Sequence, residues 1–191
     1  MPPHLDQRRH DLLEKLALFV PTGELEAQHR ERMQLLLTAL GDVFSRRHFE
    51  PGHFTASTFV LSPDLRSILL IFHGKLHRWL QPGGHVDAED PDIEAAARRE
   101  VQEEVGLPDL QNLPQWPSIF DVDVHEIPAL RGEPAHAHFD VRFVFAAPSM
   151  DFLVGSDAHA AKWVALGDVA GLESDASVLR AVAKLTRALH L

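Results

Sequence analysis

GGHVDAEDPDIEAAARREVQEEVGL, residues 83–107, is the segment that decides the fold of this 191-residue chain. Its second half carries three glutamates, Glu100, Glu103 and Glu104, whose spacings place them on one face of a helix. Like charges this close repel one another, and a hard divalent cation with oxygen ligands removes that repulsion. The segment therefore predicts a metal-dependent site for phosphate chemistry.

The helix that carries the glutamates has clear signals at both ends. Asp90 can cap its N-terminus, Pro91 suits its first turn, and Gly106 suits its C-terminal end. The three alanines at 95–97 favour helix throughout this stretch. A single helix from about residue 91 to residue 105 follows from this pattern.

The glutamates continue the apolar stripe of that helix. Ile93 and Ala97 precede Glu100 and Glu104 at helical steps, which predicts an inward face rather than a solvated one. Carboxylates on an inward face need partners or a metal ion. The glycine pair at 83–84 lets the backbone approach a ligand closely. An all-oxygen donor set favours Mg²⁺ as the cofactor, and Mn²⁺ can substitute.

At these residues the chain resembles the Nudix hydrolase family, whose pattern is Gly-x5-Glu-x7-Arg-Glu-U-x-Glu-Glu-x-Gly-U, with U an aliphatic residue. Gly84 matches the leading glycine, and residues 99–107 match the second half throughout. One residue more than in the pattern lies between Gly84 and Arg99, so either Glu89 or Asp90 stands in for the intermediate glutamate. The resemblance implies an α+β type of α/β fold, a Nudix-like mixed sheet sandwiched between helices.

The resemblance also implies roles for individual residues. Glu100 and Glu104 would be the principal metal ligands, and Glu103 would be a further ligand or the base that orients water. The Gly83 carbonyl would be a backbone ligand. Arg99 would act with Glu103 and Glu104 in catalysis, by orienting a glutamate through charge-assisted hydrogen bonds. The implied reaction is hydrolysis of a diphosphate linkage in a nucleotide or a nucleoside-diphosphate derivative.

A second group of polar residues lies at 136–143. The side chains of His136, His138, Asp140 and Arg142 alternate with apolar ones, which puts them on one face of a strand. They either form a solvated strand face or line the substrate cleft, with Arg142 contacting phosphate; His85 would line the same cleft or belong to the loop. His-x-His is also a metal-ligand spacing, but the sequence offers no thiol and no third clear ligand for zinc.

The pattern elsewhere predicts helices, then strands, a helix, more strands and a last helix. Two helices are expected within residues 6–40, with Thr22 capping the second, and a C-terminal helix is expected over 174–191. Strands are expected at the ranges 54–61, 67–72, 76–80, 118–127, 136–146 and 163–164. We expect an N-terminal helical extension at 1–48 and a Nudix hydrolase domain with the C-terminal helix at 49–191.

Composition narrows the class of partner. The net charge of −10 argues against nucleic acid, because no basic stripe is available to release counterions. The chain has no cysteine, so thiolate metal sites are excluded, and no apolar run approaches the length of a membrane span. A cytoplasmic enzyme with a small-molecule diphosphate substrate is expected, without a membrane or nucleic-acid partner.

Two other functions stay open at this point. One is a Nudix-like nucleotide-binding regulatory module with little or no turnover, although the full acidic set argues for an enzyme. The other is an interaction protein that docks through its N-terminal helices, although packing on the chain's own core or in a homodimer explains their apolar stripes more simply. The particular diphosphate and the bond that is cleaved are left open.

Overall fold

The structure is a computed structural model that describes residues 3–74, 76–130, 132–155 and 160–190. Its helices are α1 (Pro3–Leu18), α2 (Glu24–Leu36), α3 (Ile93–Val105) and α4 (Ala176–Ala188), with a short 3-10 helix at Leu166–Gly171. Its strands are β1 (Gly52–Leu61), β2 (Ser67–His73), β3 (Arg78–Leu80), β4 (Gly83–His85), β5 (Gln111–Asn112), β6 (Asp121–Ile127), β7 (His136–Ala146) and β8 (Ala161–Ala165).

Within these described ranges the eight strands form one sheet with the order β3-β2-β1-β7-β5. Strand β4 pairs with β1, β6 pairs with β7, and β8 pairs with β2. Every residue of β1 is buried, as expected for a strand in the middle of a sheet. The predicted α+β class, with a mixed sheet, accompanying helices and N-terminal helices, is confirmed.

The chain divides into two compact units, and the first comprises Met1–Ser57, Gly84–Ala97 and Ser118–Phe143. In this unit α2 lies against β6, where the ring of His29 is 3.4 Å from the Val122 carbonyl oxygen. The N-terminal helices contribute buried side chains such as Leu16 and Met33. The apolar stripes of α1 and α2 therefore pack on the chain's own core.

The second unit comprises Thr58–Gly83, Arg98–Pro117 and Val144–Leu191. Here β2 pairs antiparallel with β3 and with β8, and its residues 68–71 are all buried. Helix α4 begins at the N-cap Asp175, whose side chain accepts a hydrogen bond from the Ser177 amide at 2.8 Å. Its buried residues Val178, Val182 and Leu185 lie at helical spacing, as the sequence predicts.

Two predicted caps are wrong in detail. The helix with the glutamates is capped by Asp92, whose Oδ1 accepts from the Ala95 amide at 2.9 Å, while Asp90 instead accepts from the Asp87 amide in the preceding loop. Gly23, not Thr22, is the N-cap of α2. Asp92 supplies a side-chain capping hydrogen bond to α3, whereas Gly23 caps α2 through its extended backbone alone, without a side-chain hydrogen bond.

The division of the chain at residue 48 stays a prediction.

No helix in the described ranges combines the length and the hydropathy that a membrane crossing requires.

Candidate functional site

The glycine turn and the glutamate helix meet in the second unit. The Gly83 amide donates a hydrogen bond to Oε2 of Glu104 at 2.9 Å, although 21 residues separate them in the chain. The Glu104 side chain is half-buried at this contact. The turn therefore holds one carboxylate of the helix at a fixed place beside the backbone of residue 83.

Arg99 holds the other two carboxylates. Its Nη1 lies 2.9 Å from Oε1 of Glu100 and 3.0 Å from Oε2 of Glu103. The Glu100 side chain is only 14% exposed, whereas that of Glu103 is 57% exposed. The sequence analysis expected Arg99 to orient a glutamate, and this contact has that form; the catalytic role itself stays a prediction.

The apolar side of α3 explains why the carboxylates stand where they do. Ala97, Val101 and Val105 are fully buried, and Ile93 is nearly so. Glu100 and Glu104 lie at the border of this stripe, where each is half-buried rather than solvated. Both side chains are thus partly shielded from solvent, and that they bind a metal ion stays a prediction.

The C-terminal end of α3 is covered by the backbone of residues 153–155. The Leu153 amide donates to the Val105 carbonyl at 3.0 Å, and the Gly155 amide donates to the Glu104 carbonyl at 2.7 Å. A Cβ atom at Gly155 would lie 2.0 Å from the Glu103 carbonyl oxygen, so only glycine permits this approach. Gly106, with a φ of +64°, ends the helix as predicted.

The donor set on this helix fits a hard divalent cation. It consists of carboxylate oxygens beside a glycine backbone, which is the ligand chemistry that Mg²⁺ and Mn²⁺ prefer. Because Arg99 Nη1 lies between Glu100 and Glu103, it supplies positive charge to two of the carboxylates. Gly83, Glu100, Glu103 and Glu104 could hold such an ion.

The polar face of β7 belongs to the first unit, and it is buried. Arg142 is 2% exposed, and its guanidinium contacts Asp140 at 2.7 Å and both Asp121 and Asp123 at 3.4 Å. Burial alone would lower the pKa of Arg142, but the carboxylates, led by Asp140, outweigh it and raise that pKa above its ordinary value. The interpretation of this face as a solvated strand surface is therefore wrong.

Asp140 has further donors on β1. Thr55 Oγ1 donates to one oxygen at 3.1 Å, and Ser57 Oγ donates to the other at 2.8 Å. The opposite face of β7 carries the buried side chains Phe139, Val141 and Phe143, as predicted. Asp140 and Arg142 thus form part of a buried network; that they also contact substrate stays a prediction.

The predicted histidines gather at the start of β7. The ring centroids of His136 and His138 are 5.3 Å apart, and that of His85 lies 5.4 Å from His138. A further residue, His53 at the start of β1, lies within 5.2 Å of all three rings. Three strands, β1, β4 and β7, therefore build one histidine cluster, defined as His53, His85, His136 and His138.

Two members of the histidine cluster, His53 and His138, are neutral at pH 7. Burial lowers the pKa of His53 to about 4 and that of His138 to about 2, and the neighbouring rings add to both shifts. Burial also lowers the pKa of His85. Neutral imidazoles keep a nitrogen lone pair that can accept a hydrogen bond or bind a metal ion.

Sequence reasoning missed His53, Asp121 and Asp123. The register of β6 on β7 places Asp121 opposite Arg142 and Asp123 opposite Asp140. The signal was available in the alternation of Asp121 and Asp123 along the earlier strand, which matches the polar alternation of β7. For His53 the only signal was its place at the start of a strand beside a glycine.

The similarity to known proteins extends over most of the chain. A family model described as the NUDIX domain matches residues 51–184, well over half of the sequence. No curated protein sequence matches the chain.

Several solved structures share the fold. A hydrolase of the NUDIX family from Clostridium perfringens has a TM-score of 0.53 and 22% identity, covering 76% of this chain and 99% of that one. A C. elegans Ap4A hydrolase, in a binary complex, has a TM-score of 0.52 and 20% identity, with coverages of 72% and 97%. The E. coli dihydroneopterin triphosphate pyrophosphohydrolase has a TM-score of 0.53 and 19% identity, with coverages of 69% and 92%. At these identities the likeness shows the fold.

Proposed function

This chain belongs to the Nudix family of hydrolases, and from that premise we propose that it is a Mg²⁺-dependent pyrophosphohydrolase that cleaves a diphosphate linkage. The substrate class is a nucleotide or a nucleoside-diphosphate derivative. The observation that carries the proposal is the hydrogen bond from the Gly83 amide to Glu104, because it brings the glycine pair that opens the motif region to a glutamate near the motif's end.

In this proposal the residues of α3 have separate roles. Glu100 and Glu104 would hold the cation with the Gly83 carbonyl, and Glu103 would either add a ligand or accept the proton of the attacking water. Arg99 holds Glu100 and Glu103 in position through its contacts at 2.9 and 3.0 Å. When bound, the cation neutralises the diphosphate and lowers the pKa of a water molecule for attack on phosphorus.

The named activities of two structural relatives support the choice of substrate class. The E. coli enzyme is a triphosphate pyrophosphohydrolase and the C. elegans enzyme an Ap4A hydrolase, so each name describes a substrate with phosphoric anhydride bonds. Only this shared feature, a substrate with a phosphoric anhydride bond, is proposed for the present chain. His85, His136, His138, Asp140 and Arg142 remain the proposed substrate contacts.

The decisive experiment is hydrolysis of a panel of nucleotides, nucleotide sugars and dinucleotides, with product identification. We expect turnover with Mg²⁺ or Mn²⁺ and none after exhaustive chelation. Glu100→Gln and Glu104→Gln keep side-chain size but remove a ligand charge, so kcat should fall by about 10²-fold or more. Glu94→Gln is the matched control on the same helix, where Glu94 pairs with Lys15 at 3.5 Å, and it should retain activity.

Circular dichroism of each variant excludes unfolding as the cause of a loss. Near-normal turnover by Glu104→Gln would remove this helix from the site. Tight binding of a panel member without turnover, under all metal conditions, would instead identify a nucleotide-binding regulatory module.

A further inference from the structure

We propose that His53, His136 and His138 form a second metal site, specific for Zn²⁺ or a similar imidazole-binding transition-metal ion. Each ring offers one nitrogen, and these atoms lie within 4.8 Å of one another. Among the residues that the structure describes, this is the one group of three metal-capable side chains that converges so closely. His53 and His136 are buried, and His138 is half-buried.

The hydrogen bonds of the rings leave the correct nitrogen available. His53 Nδ1 lies 3.2 Å from the His48 carbonyl oxygen, and His136 Nδ1 lies 2.8 Å from the Pro134 carbonyl oxygen. A carbonyl oxygen only accepts, so Nδ1 is the donor in both rings, and Nε2 is the nitrogen left to bind a metal ion. Metal-binding histidines are usually held in this way, by donation from the other ring nitrogen to a carbonyl or carboxylate.

His53 gives the strongest sign of a missing partner. Its Nε2 is fully buried and has no hydrogen-bond partner in the described part of the chain. A buried polar atom without a partner costs free energy, and such atoms in folded proteins call for an explanation. A metal ion bound at this nitrogen supplies one.

The chemistry of the three ligands selects the ion. Imidazole nitrogen suits Zn²⁺, Cu²⁺, Ni²⁺ and Fe²⁺, whereas Mg²⁺ prefers oxygen. Zn–N bonds of about 2.0–2.1 Å in a tetrahedral site bring ligand nitrogens to about 3.4 Å from one another. Because the three ligand nitrogens lie within 4.8 Å of one another, they need to approach by about 1.4 Å at most on binding. Three histidines leave a fourth position open to solvent or a ligand atom.

A bound ion would take the lone pairs of His136 and His138 that the sequence analysis assigned to substrate contact. The two assignments are therefore alternatives for the same nitrogen atoms. The metal proposal does not depend on hydrolysis, because its ligands differ from the glutamates of α3.

The test is calorimetric titration of the chelator-treated 191-residue chain with Zn²⁺, in a buffer that contains excess Mg²⁺ to saturate the carboxylate site. We expect one Zn²⁺ per chain. Co²⁺ under the same conditions should give the intense visible absorption of a tetrahedral nitrogen site, a readout that needs no variant and no activity.

Loss of a residue that only supports a metal ligand weakens metal affinity by about 10–100-fold. His53→Ala and His138→Gln each remove a ligand itself, so each should weaken Zn²⁺ binding by more than that. His10→Ala, at an exposed histidine, and His85→Ala should bind like the parent. Absence of Zn²⁺ binding to the parent protein would overturn the proposal. So would unchanged affinity in a folded His138→Gln variant, or loss of the Zn²⁺ site in Glu104→Gln.

Discussion

Replacing Arg142 with alanine should destabilise the folded chain far more than replacing an exposed arginine. The guanidinium lies in the interior among Asp121, Asp123 and Asp140, at distances of 2.7 to 3.4 Å. Its removal leaves three carboxylates close together in a buried place. Water cannot replace the lost charge there as it does at the surface.

The size of the effect follows from the burial. Breaking a buried ion pair by removing one partner costs about 3–5 kcal/mol, because the remaining charge is left uncompensated. In a chain of this length each kcal/mol lowers the melting temperature by roughly 2–4 °C. The expected loss is therefore about 6–20 °C. Arg142→Lys keeps a positive charge but loses the planar fork, so its loss should be intermediate.

The assay is thermal unfolding followed by circular dichroism, with urea unfolding as a second measure. Arg78→Ala is the matched control, because Arg78 also lies on a strand and pairs with an aspartate at 3.1 Å, but its side chain is 50% exposed. An exposed pair contributes about 0–1 kcal/mol, so this variant should melt within a few degrees of the parent. Equal melting temperatures for the Arg142 and Arg78 variants would refute the argument from burial.

Three further results are expected. Gly155→Ala should lower the melting temperature, because the added Cβ would collide with the Glu103 carbonyl oxygen. Gly167→Ala is the control and should not lower it, because a Cβ there would meet no neighbouring atom within 4 Å. Equal melting temperatures for the two variants would argue against the contact at Gly155. Asp92→Ala removes the cap of α3 and should cost about 1 kcal/mol in the free energy of unfolding by urea, and no change would mean that another group serves the Ala95 amide. Removal of divalent cations should abolish hydrolysis reversibly, with recovery on adding Mg²⁺; activity that survives chelation would contradict the metal assignment.

The sequence predicted helices and strands well where a regular polar and apolar pattern ran over many residues, or where a turn residue was unambiguous. The run of 136–143 alternates strictly and lies within one strand, His136–Ala146, and Gly106 ends α3 as expected. The caps were less predictable, since Asp90 and Asp92 both suit an N-terminus and only the backbone geometry of the loop distinguishes them. The strand expected at 76–80 is confined to Arg78–Leu80, because His77 turns the chain with a φ of +51°.

The candidate site shows the same limit. The glutamate spacing on one helix is a local property, so the sequence could place those carboxylates together. Two of the three carboxylate partners of Arg142 lie on another strand, and only the register of β6 against β7 brings Asp121 and Asp123 to it. Local alternation could show that Arg142 shares a face with Asp140, but it could not show that this face is buried.

The position of the glutamates at the C-terminal end of α3 has an energetic consequence. The last turn of the helix contains two glutamates and no basic residue. The macrodipole of a helix places about half a negative charge at this end, so each carboxylate there is disfavoured by roughly 0.3–1 kcal/mol. Donation from the amides of Leu153 and Gly155 to the terminal carbonyls withdraws only part of that charge.

A cation that binds at this end of α3 is attracted by the helix dipole as well as by the side chains. Ligand binding to the folded state alone raises its stability by mass action. We therefore expect divalent cations to protect the chain against unfolding, and we expect that protection to weaken as the salt concentration rises, because salt screens the dipole and the partly exposed carboxylates alike.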